Sequence, residues 1–145
     1  MSEGQVIIAI DAMGGENSPY KVLKGAEIFL EKEKNTKIIF FGDKIQINEN
    51  IHKKNLKIFN YEVLNTEDII SDEDSVNTIL RSKKNSSIYK GLEFAKKNQN
   101  SGFVSSGSTA AIMVLSRLHM GMIKGIDRPA ICSLIPNKKN YSLML

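Results

Sequence analysis

Two glycine- and serine-bearing segments hold the residues best suited to chemistry. The first is Asp11-Ala12-Met13-Gly14-Gly15-Glu16, directly after the apolar run Val6-Ile7-Ile8-Ala9-Ile10. A carboxylate at a strand's carboxyl end, followed by two glycines, lets the backbone come close to a ligand or adopt positive φ. A plain strand–helix turn with a capping acid is the commoner meaning of such residues. The second segment is Ser105-Ser106-Gly107-Ser108-Thr109-Ala110-Ala111, which leads from Phe103-Val104 into an apolar helical pattern. Unpaired N–H groups at a helix start, with the helix dipole, attract anions, and the hydroxyls of Ser106, Ser108 and Thr109 add donors. A well-capped core helix fits the same residues equally well.

Two further segments are weaker. Arg81-Ser82-Lys83-Lys84-Asn85-Ser86-Ser87 sets three cations before a helix start, where Arg81 has the shape for a two-pronged grip on phosphate. A solvated basic face is the simpler reading. The window 81–97 has six bases against Glu93 alone, which also suits docking to an acidic partner. In Gly125-Ile126-Asp127-Arg128-Pro129-Ala130 a structural turn outweighs a crevice-lining role for Asp127 and Arg128. The remaining candidates recede. His52 lies in a lysine-rich stretch and reads as solvated. His119 and Met113, Met120 and Met122 follow helical spacing and read as packing residues. Neither histidine has a Cys or His at ligand spacing, no Ser-His-Asp set can be assigned, and neither Gly-x-Gly-x-x-Gly nor a P-loop lysine is present.

The elements that must position these residues alternate. Strands are expected at Val6–Ile10, Lys37–Phe41, Leu56–Tyr61, Phe103–Ser105 and Ala130–Ile135, with another beginning at Tyr141. Helices are expected from Ser18 (as N-cap, with Pro19 first in the helix) to about Lys34, weakly over Lys44–His52, briefly over Ser75–Arg81, over Ile88–Asn98 with Leu92 and Ala95 inward, and over Ala110–Met122. Asn65–Asp74 reads as an acidic loop. Runs without polar alternation imply strands covered on both faces. The expected fold is α/β, a mostly parallel sheet flanked by helices in three layers. All of 1–145 falls within one domain, and the apolar run Leu143-Met144-Leu145 suggests a fold incomplete at its C-terminus.

The chain has 145 residues, 41% of them hydrophobic and 25% charged, and a net charge of +4, which suits one domain with an anionic partner. No basic tract interleaves with aromatics as nucleic-acid binding would ask. The single Cys132 permits no internal disulfide or thiolate cluster, Met1–Gln5 does not open a secretory signal, and no run approaches a membrane span. A cytoplasmic protein is the expectation.

Taken in order, four blocks resemble one family. Ile8-Ala9-Ile10-Asp11-Ala12-Met13-Gly14-Gly15-Glu16 with Pro19 resembles the opening signature of the PlsX phosphate acyltransferases, and Ile79–Ser87 resembles their arginine–lysine–serine–serine block. Val104–Met113 resembles their serine–glycine–threonine helix start, and Gly125–Ala130 the block that follows. The chain departs from the family pattern at Glu16, usually aspartate, and at Ser106, Ser108 and Ala110, usually alanine, asparagine and glycine. Loss of the asparagine alters the donor set. The family's chain is more than twice as long, and its aspartate–leucine–glycine–alanine–asparagine block would follow Leu145.

The resemblance implies a fold like that of isopropylmalate dehydrogenase or phosphotransacetylase. It implies a phosphate acyltransferase of phospholipid synthesis, in which inorganic phosphate attacks the thioester of an acyl carrier protein and releases acyl phosphate. Asp11, Gly14, Gly15, Arg81, Lys83, Ser106, Gly107, Ser108 and Thr109 would bind substrate or phosphate; no residue stands out as general base, and no cofactor or metal is called for. It implies as partners the carrier, inorganic phosphate, a downstream glycerol-phosphate acyltransferase, a second copy of the full-length chain, and peripheral contact with a membrane. A truncated non-catalytic remnant and a phosphate-ester-binding α/β module are the competing readings.

Overall fold

The computed structural model describes residues 5–145; the reading of the amino terminus as lacking a signal falls, Gln5 apart, outside them. Four parallel strands form the main sheet: β1 (Val6–Asp11), β2 (Thr36–Gly42), β3 (Tyr61–Asn65) and β4 (Ser101–Val104), in the order β3-β2-β1-β4. The chain first steps outward from β1 through β2 to β3, then returns to add β4 on the other side of β1. Strand order therefore reverses between β1 and β4, and their carboxyl ends diverge there to leave a crevice.

Both sheet faces are covered, as the unbroken apolar runs require. On one face, α1 (Tyr20–Lys32) and α2 (Lys44–Lys53) pack Leu23, Leu30, Ile47 and Ile51 against Ile38 and Phe40. On the other, Ala9, Ile39 and Phe41 meet Phe94 of α4 (Ser87–Lys97). Ile79 of α3 (Val76–Ser82), Ile88 and Leu92 of α4, and Ala111 and Leu115 of α5 (Thr109–Met120) form a further cluster beyond it. The three-layer α/β expectation holds. No helix among the described residues is long and apolar enough to cross a membrane.

Four local expectations need correction. The third strand begins at Tyr61, not Leu56. Leu56 and Ile58 pack on the α1–α2 cluster, Lys57 N–H donates to the buried Glu27 carboxylate at 2.6 Å, and Asn60 turns the chain at φ 52° before the ladder starts. Tertiary anchoring thus takes an apolar run that would otherwise pair. Ser18 does not cap α1: Pro19 holds the N-cap position, and the Ser18 hydroxyl donates back to the Gly14 carbonyl. Met120 and Met122 are exposed rather than core, because α5 ends at Gly121 (φ 77°). The strand expected over Ala130–Ile135 is β5 (Ser133–Pro136), which pairs antiparallel with β6 (Tyr141–Met144) in a hairpin apart from the main sheet.

Candidate functional site

The site grows from Asp11, the last residue of β1 and only 1% exposed. A buried carboxylate must be hydrogen-bonded. Its Oδ1 accepts the N–H groups of Met13 (3.0 Å) and Gly14 (3.1 Å), which folds the turn back over the strand end. Its Oδ2 accepts the hydroxyl of Ser105 (2.7 Å), just past β4, and Ser105 Oγ in turn accepts the Gly107 N–H (3.0 Å). One carboxylate thus ties together two turns 94 residues apart in the chain.

The turns are in backbone contact. A Cβ on Gly14 would lie 2.7 Å from Gly107 N and 2.8 Å from its Cα, so no side chain fits there. Gly15 has φ +85°, and a Cβ on it would meet the Ser106 carbonyl oxygen at 2.9 Å. Ser106 Oγ donates to the Gly14 carbonyl at 3.1 Å. That hydroxyl hydrogen stitches the turns together, which corrects the expectation that Ser106 offers a donor to a ligand.

The joined turns open on a hollow of about 490 Å³, walled by Met13–Glu16, Ser106–Ser108 and, opposite, Ile70–Asp72. The N-cap of α5 is Ser108, whose side chain makes no capping hydrogen bond. The helix start expected either to be well capped or to serve an anion therefore lacks its cap, and its first N–H groups keep their donor capacity. Glu16 and Asp72 are the charged groups on the wall; a neighbouring hollow of about 370 Å³ shares Gly15, Glu16 and Ser106 and adds the Lys21 side chain.

Of the nine residues singled out in the sequence, Asp11, Gly14, Gly15, Ser106, Gly107 and Ser108 are brought together. Thr109 opens α5, exposed, outside the lining of the hollow. Arg81 and Lys83 are not brought to it. Arg81 is exposed in the last turn of α3, while Lys83 Nζ donates to the Ile69 carbonyl at 2.8 Å and stands 3.9 Å from Asp74. The basic block instead pins the acidic loop: Asp68 accepts the Asn85 N–H at 3.1 Å, and Ser86 Oγ caps α4 through the Tyr89 N–H. Lys83 reaches the site indirectly, by fixing the loop that forms its far wall. The loop Gly125–Pro129 is exposed but for the half-buried Pro129, and no ion pair among the described residues joins Asp127 to Arg128.

Sequence reasoning passed over Ser105 and Lys21. The Ser105-x-Gly107 spacing, at which a hydroxyl accepts the N–H two residues on, was the available sign for the first. Lys21 reads only as an exposed helical residue until α1 is placed beside the turn.

The fold is a doubly wound α/β unit whose strand reversal, the place where open α/β sheets generally take their ligands, carries two fused glycine turns and an uncapped helix start. A family model described as fatty acid synthesis protein matches residues 6–145. The chain is 39% identical over 138 residues to a phosphate acyltransferase of Caldicellulosiruptor bescii, a match covering 95% of this chain and 41% of the relative. It is 37% identical over 138 residues to one of Pelagibacter ubique (95% and 41%) and 39% over 136 residues to one of Nitratiruptor sp. (93% and 40%). The chain belongs to the fatty acid synthesis protein family and spans about two-fifths of the length of these relatives.

Proposed function

We propose that this chain carries the phosphate-binding part of a phosphate acyltransferase acting on a fatty acyl thioester of an acyl carrier protein, in phospholipid synthesis. The observation that carries the reading is the Asp11–Ser105–Gly107 relay, which fuses the two turns beneath an uncapped helix start. The relatives' name, phosphate acyltransferase, agrees with it.

The chemistry asks the protein for positioning rather than covalent help. Phosphate is itself the nucleophile. Its oxygen forms a bond to the thioester carbon, the carbonyl oxygen takes up charge, and the carbon–sulfur bond then breaks as the carbonyl re-forms, giving acyl phosphate and the carrier's thiolate, which takes the proton that hydrogen phosphate gives up. Oriented amides at Gly15 and at the start of α5 hold phosphate or the developing oxyanion, while the Gly14 N–H stays on Asp11 and fixes the turn, and a fixed donor set needs no reorganisation during the reaction. Glu16 borders both hollows and Asp72 only the larger, so phosphate sits away from Asp72, toward Gly15 and Ser106, where Lys21 offsets its charge. Within 81–97, Arg81, Lys84 and Lys96 are exposed and outside the ion pairs, and they supply the docking side for an acidic carrier.

The test is a chimera in which this chain replaces the matched part of the Caldicellulosiruptor bescii relative. Given acyl carrier thioester and phosphate, it is expected to form acyl phosphate, trapped as hydroxamate, and Gly14→Ala is expected to stop it. A folded chimera that consumes no thioester in the presence of phosphate overturns the proposal.

A further inference from the structure

A further hollow of about 380 Å³ lies at the carboxyl ends of β2 and β3, and the chemistry proposed above leaves it unused. It adjoins the phosphate hollow. Met13 walls both, and the loop after β3 gives Ile69 to one and Ile70–Asp72 to the other. Met13 is seated on Gly42, where a Cβ would stand 2.9 Å from its Cγ and Sδ. The wall that the two hollows share is thus a thioether side chain lying on bare backbone.

The charged groups lining this hollow are Asp43 and Glu67, both acids, so an anion is disfavoured here and phosphate belongs next door. Two carboxamides also line it, each held by one end. Asn65 Oδ1 accepts the Lys44 N–H at 3.0 Å, which fixes the side chain and leaves Nδ2 with no partner among the described residues. Gln46 Nε2 donates to the Asp43 carboxylate at 2.9 Å, which leaves Oε1 equally free. The lining therefore offers one amide donor and one amide acceptor, the complement of a secondary amide, which has one of each. Ile45 (72% exposed) and Ile69 (53%) add apolar surface to the same hollow. One exposed isoleucine is ordinary, but two on one hollow make a contact surface.

We infer that this hollow receives the pantetheine arm that carries the acyl thioester. The arm is a neutral chain with a gem-dimethyl carbon and secondary amides, and it ends in sulfur. Its amides suit Asn65 and Gln46, its methyl groups suit Ile45 and Ile69, and its lack of charge suits a lining with two carboxylates. Its sulfur end then passes Met13 into the phosphate hollow, where the thioester carbon meets the nucleophile. Coenzyme A bears the same arm, but among the described residues no basic side chain lines the hollow to meet its nucleotide phosphates, so the carrier protein is the source. The inference rests on the acyl-thioester reading of the site and adds where the arm lies. It makes Asn65 and Gln46 substrate-binding residues.

The experiment titrates the isotope-labelled chain with S-butyryl-pantetheine, a soluble piece of the substrate that contains no phosphate. The side-chain amides of Asn65 and Gln46 and the backbone amides of Ile45 and Glu67 are expected to shift along one saturating curve. Asn65→Asp keeps the acceptor for the Lys44 N–H but removes the donor, and it is expected to weaken binding about tenfold. Glu62→Gln, on β3 but outside the hollow, is expected to leave binding unchanged. Coenzyme A is expected to bind within about threefold of the pantetheine thioester, since the arm alone is held. Three results overturn the inference: no shift at Ile45, Gln46, Asn65 and Glu67, an Asn65→Asp protein that binds as tightly as the native chain, or coenzyme A binding about tenfold or more tighter, which would make the nucleotide the ligand. A chimera that forms acyl phosphate while these resonances stay still sinks the inference and spares the catalytic reading; arm binding without turnover does the reverse.

Discussion

Asp11 holds two turns at once, and its replacement separates structural from chemical roles. Asp11→Ala removes the acceptor for Met13 N–H, Gly14 N–H and the Ser105 hydroxyl in a buried place. The expected loss is about 2–3 kcal/mol of stability, read from urea denaturation at neutral pH. Gly14→Ala acts differently. Its methyl would press on the Gly107 backbone at 2.7 Å, and backbone yields less readily than a flexible side chain. The turns are expected to part, with a cost of about 1–3 kcal/mol and phosphate affinity lowered at least about tenfold by calorimetry. Unchanged affinity in a folded Gly14→Ala protein would show that the contact between the turns does not shape the site.

At the scale of elements, α4 carries the strain and the titration of the second layer. Gly91 lets α4 approach β4 so closely that a Cβ would stand 2.3 Å from the Phe103 ring. Gly91→Ala is therefore expected to cost about 1–3 kcal/mol by urea denaturation, since the ring must move or the helix must lift. Helix α5 rests on α4 through His119, whose ring meets Tyr89 edge-on at 4.5 Å and whose Nε2 is buried without a partner. Burial pushes the His119 imidazole below its ordinary value; Lys96 and Lys97 add to this and Glu93 opposes it. The folded state thus disfavours the proton that the unfolded chain takes up from about pH 6.5 downward. Stability should be level above that pH and fall as pH drops toward the lowered value. Urea midpoints at pH 7.5 and 5.5 are expected to differ in the native sequence and to converge in His119→Gln. The carboxylates held below their ordinary values, Glu27, Asp43 and Glu93, titrate lower still and do not confuse this window.

The elements also show what a sequence can and cannot carry. Val6–Asp11 and Thr36–Gly42 announce themselves because strands covered on both faces leave no polar alternation, and that pattern is local. The glycines of the turns were legible for the same reason. Leu56–Phe59 misled, because a side chain 30 residues earlier, Glu27, decides whether that run pairs or packs. The basic block at 81–84 was legible as charge but not as place. Only the fold shows that Lys83 spends its contacts on the acidic loop while Lys21 reaches the turn. The pairing of Asp11 with Ser105 depends on β4 returning beside β1, and nothing local to either segment encodes it.

For the whole molecule, the strand order sets the function. Because β4 adds to the side of β1 away from β2, the ends of β1 and β4 and the start of α5 face one crevice, and the glycines keep it open. The most direct measurement of this account is an inorganic phosphate titration of the isotope-labelled chain, followed through backbone amide resonances. The account predicts that Gly14, Gly15, Gly107, Thr109 and Ala110 shift together along one saturating curve, and that the curve vanishes in Gly14→Ala. Shifts confined to the amides of residues 81–84, with the two glycine turns unmoved, would contradict it.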